Sequence, residues 1–260
     1  MNVSLVVMLL NRGANPNLAT QSHYGSPLVA AAAAGHVEVV KLLLDHGADV
    51  NALVSAGIYG SALVAAAVNI HDEDDCELVR CLLEARADPN LPLCCGSYGN
   101  ALRAAIYFDN FNAVKLLLQA GADVNMQVGN DVYGSALAVA AGSSHDVRII
   151  ELLLDAGADV NMRLNQGYYD TAIVAAVSRG HMKSIAILLE AGADVNIELK
   201  KGDMGSVLAI ASRGHGPDNL IPLLVQKGAD VNMPLKYVAE DYLDNEESIN
   251  ALLRAGAVKY

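Results

Sequence analysis

The pentapeptide Gly47-Ala48-Asp49-Val50-Asn51 decides the fold of this chain, because it recurs along almost the whole length. The same five residues begin again at Gly121, Gly157, Gly192 and Gly228, and looser copies begin at Gly13, Arg86 and Gly256. Apolar residues at helical spacing precede the first copy, as Val37, Val40, Leu43 and Leu44. The glycine of the pentapeptide therefore predicts the left-handed position at which a helix ends.

A second motif, Tyr59-Gly60-Ser61-Ala62-Leu63, precedes the pentapeptides by about 20 residues and also recurs. Its counterparts begin at Tyr24, Tyr98, Tyr133, Tyr169 and Met204, with steps of 35, 39, 35, 36 and 35 residues. Its third residue is a good helix N-cap in each copy: Ser26, Ser61, Asn100, Ser135, Thr171 and Ser206. The Ala-rich runs that follow predict slim first helices, which can lie close to their neighbours.

The segment after each pentapeptide alternates between apolar side chains and side chains suited to solvent. Val54, Leu164 and Leu199 are apolar members of this pattern, and glycines such as Gly57 and Gly167 follow them. Period-two alternation followed by a turn predicts a short β-hairpin, which we call a finger.

Helix, loop, helix and finger at this period resemble the ankyrin repeat, and the resemblance covers nearly the whole chain. The Tyr-Gly-Ser/Asn-Ala-Leu variant is similar to arrays in fungal multidomain proteins. The fold class implied is an all-α repeat solenoid, a curved array of ankyrin repeats (helix-loop-helix plus β-hairpin fingers).

We expect an N-terminal half repeat and finger at 1–23, repeats at 24–58, 59–97 (with an inter-helix insertion), 98–132, 133–168, 169–203 and 204–236, and a degenerate capping repeat at 237–260. The family's Thr-Pro-Leu-His is absent here, and the fingers are about two residues longer than usual.

Composition excludes several classes of protein. Hydrophobic residues make up 53% of the 260 residues but aromatic residues only 5%, which suits thin stacked layers better than one large core. The net charge of −12 disfavours nucleic acid as a partner, since that affinity rests on Lys and Arg. No apolar run approaches the roughly 18 residues of a membrane-spanning helix. Four cysteines do not form a disulfide framework, so we expect a reducing compartment, the cytoplasm or alternatively the nucleus.

The resemblance implies that a partner docks on the concave face, which finger tips and first-helix ends build. Projected residue by residue, that face contains His23, Ile58, Asn69, Tyr107, Phe108, Asp131, Tyr168, Arg179, Asp203 and Arg213. An equally open interpretation has Tyr107 and Phe108 cover the inter-helix loop with Phe111. The tyrosines that open the second motif are expected to pack at the finger roots. The resemblance also implies that the last Asn of the pentapeptide is a position that can be hydroxylated.

The function expected is a non-catalytic protein–protein interaction scaffold, either monomeric or part of a longer chain. The first alternative is a structural segment of a multidomain protein, attached for example to an NTPase or effector domain, without a partner of its own. The second is a metal- or redox-responsive element built on Cys76, Cys81, Cys94 and Cys95 with the acidic run 72–75. No motif for a catalytic site, a cofactor site or a metal site is found in the sequence.

Overall fold

The computed structural model describes residues 2–55, 57–69, 76–93, 98–127, 133–143, 146–165, 168–199, 205–213, 220–232 and 254. The chain divides into two compact units, residues 1–131 and 132–260. The expected capping repeat at 237–260 lies outside the described residues, apart from Arg254.

The first unit contains helices that alternate between two layers. The helices are α1 (Val3–Asn11), α2 (Pro27–Ala33), α3 (Val37–Asp45), α4 (Ala62–Ala67), α5 (Glu77–Glu84), α6 (Ala101–Tyr107) and α7 (Phe111–Gln119). The first helices of the repeats, α2, α4 and α6, pack side by side, and the second helices α1, α3, α5 and α7 form a row behind them. Each first helix also packs on the second helix of its own repeat. This is the arrangement of stacked helix pairs expected of a solenoid.

The second unit repeats this plan. Its described helices are α8 (Ala136–Ser143), α9 (Val147–Asp155), α10 (Ala172–Arg179), α11 (Met182–Glu190), α12 (Val207–Arg213) and α13 (Leu220–Gln226). Helix α10 packs between α8 and α12, and α9 packs against α11. The buried alanines of the first helices, such as Ala140 and Ala175, explain how these helices approach each other so closely. Branched residues of the second helices, such as Ile150 and Leu188, fill the space behind them.

The predicted N-caps form at five of the six first helices. The Ser26, Ser61, Ser135 and Ser206 hydroxyls and the Asn100 side-chain oxygen each accept a hydrogen bond from the backbone N–H three residues ahead. Thr171 is the exception: its backbone is extended as a cap requires, yet its buried hydroxyl has no hydrogen-bond partner among the described residues. The predicted cap at Thr171 is therefore wrong in its hydrogen bond, although α10 still begins at the next residue.

The fingers keep the predicted alternation but not the predicted strands. Val54, Leu164 and Leu199 are buried, whereas Leu53 and Arg163 are exposed. No described residue of the chain lies in a β-strand. In three fingers a backbone hydrogen bond spans the turn: Val54, Leu164 and Leu199 donate to the carbonyls of Gly60, Asp170 and Gly205 at 2.8 to 3.2 Å.

The asparagine of the pentapeptide joins consecutive repeats. Asn161 Nδ2 donates to the Gly192 carbonyl at 3.0 Å, and Asn161 Oδ1 accepts from the Asp194 N–H at 2.8 Å. The Asp194 carboxylate in turn accepts the N–H of Asn196 at 2.8 Å, which fixes the turn. The same pair of inter-repeat bonds is made by Asn17, Asn51, Asn90 and Asn196. The Asp and Asn of the pentapeptide thus hold the stack together.

We expect Asn161→Ala to lower the free energy of unfolding by about 2 kcal/mol, because two hydrogen bonds worth about 1 kcal/mol each are lost. Asn161→Asp keeps the acceptor oxygen but sets a second carboxylate oxygen against the Gly192 carbonyl oxygen, so it should cost at least as much. Urea unfolding followed by circular dichroism measures both changes. Lys183→Ala, at an exposed position of α11, is the control and should change little. Equal stability of Asn161→Ala and Lys183→Ala would show that the inter-repeat bonds contribute nothing.

Candidate functional site

Three of the predicted surface residues of the first unit, His23, Tyr107 and Phe108, lie in a row of aromatic side chains. Tyr24 and Tyr59, from consecutive repeats, stack with parallel rings and centroids 6.3 Å apart. Tyr98, Tyr107 and Phe108 form a cluster in which all three pairs of ring centroids lie within 5.9 Å. We call Tyr24, Tyr59, Tyr98, Tyr107 and Phe108 the aromatic strip. His23 extends it at one end, with its ring edge-to-face with Tyr24 at 5.5 Å.

Tyr59 and Tyr98 are the neighbouring members of the two groups of rings, and their hydroxyls interact electrostatically. Partial burial raises the pKa of Tyr98, and the nearby hydroxyls of Tyr59 and Tyr107 raise it further. The pKa of Tyr59 is raised in the same way, by partial burial and by the Tyr24 hydroxyl. Both phenols are therefore neutral at physiological pH and can donate a hydrogen bond.

The local sequence explains why these rings meet. Each tyrosine lies two residues before a first-helix N-cap, where the finger ends, whereas Tyr107 and Phe108 lie at the C-terminal end of α6. Because α2, α4 and α6 pack side by side, equivalent positions of consecutive repeats become neighbours. The exposed fraction of Tyr107 is 53%, and Tyr24 is also exposed, while Tyr59, Tyr98 and Phe108 are half-buried.

Asn69, predicted to lie on the docking surface, is instead buried with 6% of its surface exposed. Its Nδ2 donates to the Ala32 carbonyl at 3.4 Å, at the C-terminal end of the neighbouring first helix. Asn110 makes the equivalent bond to the Ala67 carbonyl, and His181 Nδ1 lies 3.1 Å from the Ala141 carbonyl oxygen. Asn69 satisfies a helix-end carbonyl and is not available to a partner.

The other residues predicted to lie on the docking surface differ in their exposure. Ile58 is half-buried, and Asp131, Asp203 and the side chain of Arg213 lie outside the described residues. In the second unit, Tyr168 is the most exposed large hydrophobic side chain described, at 77%. Arg179 is exposed and its Nη2 lies 3.4 Å from the Tyr133 hydroxyl. The Tyr133 and Tyr169 hydroxyls raise the pKa of Arg179, so its charge is retained beside the two rings.

The prediction that the tyrosines pack at the finger roots describes Tyr133 but not the whole set. Tyr133 is buried, and its ring lies 5.4 Å from that of Tyr169. Tyr24 is exposed, and Tyr59 and Tyr98 keep part of their surface in solvent. Sequence reasoning therefore missed three members of the aromatic strip. Their recurrence two residues before the cap was the available signal, but it does not reveal the exposure of each ring.

The two cysteines that the structure describes, Cys76 and Cys81, do not present the environment of a reactive thiolate. Cys76 is buried and its Sγ lies 3.5 Å from Asn110 Oδ1, as a hydrogen-bond donor. Burial raises the pKa of the Cys81 thiol, which opposes the ionised, nucleophilic form. No group of three or more metal-binding side chains occurs within the described part of the chain. Cys94, Cys95 and the acidic run 72–75 lie outside it.

Comparison with known proteins agrees with this architecture. The family model described as "Ankyrin repeats (3 copies)" matches residues 1–92, 62–164 and 137–234. The crystal structure of the human ASB11 ankyrin repeat domain is similar to this chain, with a TM-score of 0.69 and 24% sequence identity over 88% of this chain and 94% of that chain. No curated protein matches. In the part of the chain that the structure describes, no helix is long and apolar enough to cross a bilayer.

Overlapping family matches from residue 1 to residue 234, stacked helix pairs and an asparagine that joins successive repeats all agree. The fold is an all-α repeat solenoid, and the chain belongs to the ankyrin repeat family.

Proposed function

We propose that this chain is a non-catalytic scaffold that binds a protein partner through its finger ends and first-helix ends. The observation that carries the proposal is the aromatic strip, which places five rings from three repeats on one face with Tyr107 largely exposed. Exposed aromatic side chains are costly in water and are enriched among the residues that dominate protein interfaces. Ankyrin repeats are in general protein-interaction modules, which supports the same conclusion.

Half-buried rings fit this role better than freely rotating ones. Tyr107 contacts both Tyr98 and Phe108, so the three rings restrict one another before any partner arrives. A preorganised side chain loses less conformational entropy on binding. Tyrosine adds a hydroxyl that can bond to a partner's backbone, which gives an apolar contact its direction.

The proposal predicts that changing Tyr107 and Phe108 together to Ala weakens partner capture at least about tenfold, as expected for interface anchors. The immobilised native chain and the variant are compared for proteins retained from a lysate of the source cell, using quantitative mass spectrometry. Glu84→Ala with Lys115→Ala, two exposed positions on the second helices, is the matched control and should retain the same proteins.

If every captured protein is retained equally by the variant and the control, the aromatic strip is not the docking surface. Capture of no protein by the native chain would instead fit the role of a structural segment without a partner of its own. Circular dichroism of both variants separates a lost contact from a lost fold.

A further inference from the structure

The charge of the first unit is strongly negative and its basic residues are placed unevenly. Residues 1–131 contain 6 Lys and Arg and 13 Asp and Glu, so the formal charge is 6 − 13 = −7. Five of the six basic residues lie in the second helices or directly after them: Arg12, Lys41, Arg80, Arg86 and Lys115. Lys41 is moreover paired with Glu77 at 2.8 Å. The sixth, Arg103, is in a first helix but buried.

The face that carries the aromatic strip therefore presents no exposed Lys or Arg among the described residues of this unit. Asp109, half-buried, directly follows Phe108 at the edge of the strip. Aromatic faces carry the negative part of the ring quadrupole and attract cations placed over them. The net negative charge of the unit and the faces of the rings therefore both attract a positively charged partner.

We propose that the aromatic strip binds an extended, arginine-bearing segment of the partner protein. The proposal rests on the proposed function and names the class of partner for the same surface. Arginine suits the strip better than lysine, because a planar guanidinium stacks on aromatic rings, is more weakly hydrated and still directs N–H groups to the tyrosine hydroxyls. An extended segment is required because the rings come from three consecutive repeats, at Tyr24, Tyr59 and Tyr98.

Replacing the buried Arg103 provides a second test of whether the bound segment is positively or negatively charged. Arg103 lies four residues before Tyr107 on α6, about one helical turn away, so its positive charge opposes a cation bound at Tyr107. Removing that charge should therefore leave the binding of an arginine segment unchanged or make it tighter. A strip that binds acidic segments would instead lose affinity when Arg103 is replaced.

The experiment uses a short fluorescein-labelled peptide of arginines separated by glycine and serine, titrated with the full chain at low salt and followed by fluorescence anisotropy. Two comparison peptides carry citrulline, which has the same shape without the charge, or glutamate in place of arginine. We expect the citrulline and glutamate peptides to bind at least about tenfold more weakly, which is the range of a desolvated cation–π contact. Tyr107→Ala should weaken the arginine peptide by about tenfold, and Tyr107→Phe, which keeps the ring, by no more than about twofold.

Tyr168→Ala removes an exposed tyrosine of the second unit and is the matched control, with no change expected. Equal binding of the three peptides, or equal binding by native protein and Tyr107→Ala, would overturn the proposal. So would a loss of arginine-peptide binding in a folded Arg103→Met variant. If the peptides fail in this way while Tyr107 and Phe108 are still needed to capture a partner from lysate, the proposed function stands and only the partner class is wrong.

Discussion

Arg103→Met is expected to fold and to be at least as stable as the native chain at neutral pH, whereas Arg103→Ala should lose about 3 kcal/mol relative to Arg103→Met. Arg103 is 1% exposed and stands on α6 where the other first helices carry Val or Ala. Methionine keeps most of the volume and removes the cost of taking the guanidinium charge out of water, the same cost that lowers the pKa of Arg103. Alanine leaves a cavity, which costs about 2–5 kcal/mol for a large side chain.

The pH dependence gives this prediction a second measurement. Burial lowers the pKa of Arg103 to about 10, well below its ordinary value. Between the folded-state and unfolded-state pKa values, Arg103 is protonated in the unfolded chain but deprotonated in the folded chain. The destabilisation that the buried charge causes is therefore complete below pH 10 and decreases above it. We therefore expect the native chain to gain stability relative to Arg103→Met as the pH rises through 10, by up to about 1 kcal/mol per pH unit.

Urea unfolding of native chain, Arg103→Met and Arg103→Ala at two pH values measures both effects. The raised pKa values of Tyr59 and Tyr98 act in the opposite sense, because their contribution is lost as the pH rises through the folded-state values. Both tyrosines are present in all three proteins, so their contribution cancels in the difference in unfolding free energy between the native chain and Arg103→Met. A loss of more than about 2 kcal/mol in Arg103→Met at neutral pH would mean that the guanidinium makes a net favourable buried interaction.

The repeat architecture could be predicted because the residues that build it act locally. A cap such as Ser135 bonds three residues ahead, and Gly157 ends a helix with a left-handed backbone that glycine adopts without strain. These interactions depend on neighbours along the chain. The all-α solenoid, the helix order and the family follow from such short-range features repeated at one period.

The candidate surface could be predicted only in part, because exposure depends on side chains that are close in space. The sequence predicts that Asn69 is exposed at a helix end, but its side chain bonds to a carbonyl of the neighbouring repeat and is buried. Arg103 belongs to a position that is apolar in the other repeats, and nothing adjacent in sequence signals its burial. The second motif likewise places a tyrosine in each repeat without showing whether its ring is buried.

The residue nine positions after the tyrosine differs between Tyr98, which is partly exposed, and Tyr133, which is buried. After Tyr98 it is Tyr107, whose ring lies 5.9 Å from that of Tyr98, and both rings are partly exposed. After Tyr133 it is Gly142, and Tyr133 is 7% exposed with its hydroxyl 3.4 Å from the Gly142 carbonyl. A glycine inside a helix is normally a cost of about 1 kcal/mol, so Gly142 is explained by the ring that covers it.

Gly142→Ala is therefore expected to destabilise the chain by about 1–2 kcal/mol and Gly142→Val by about 3 kcal/mol. A Cβ at Gly142 would lie 2.5 Å from Tyr133 Cε1 and 3.2 Å from the Ala175 Cβ, so the ring must shift. Overpacking of this kind costs about 1–3 kcal/mol, which exceeds the gain of about 1 kcal/mol in helix propensity for alanine. The displaced ring also loses its contact with Arg179. Urea unfolding of the full chain measures the change.

The sign of the effect should reverse once the ring is absent. In a Tyr133→Ala background the nearest atom to the new Cβ is gone, so Gly142→Ala should stabilise that variant by up to about 1 kcal/mol through helix propensity. A stabilising Gly142→Ala in the native background would show instead that Tyr133 moves aside at no cost. The double-mutant cycle thus measures the coupling free energy between position 142 and the Tyr133 ring. The glycine leaves room for Tyr133 to be buried, whereas the counterpart Tyr98 has Tyr107 at that position and is partly exposed.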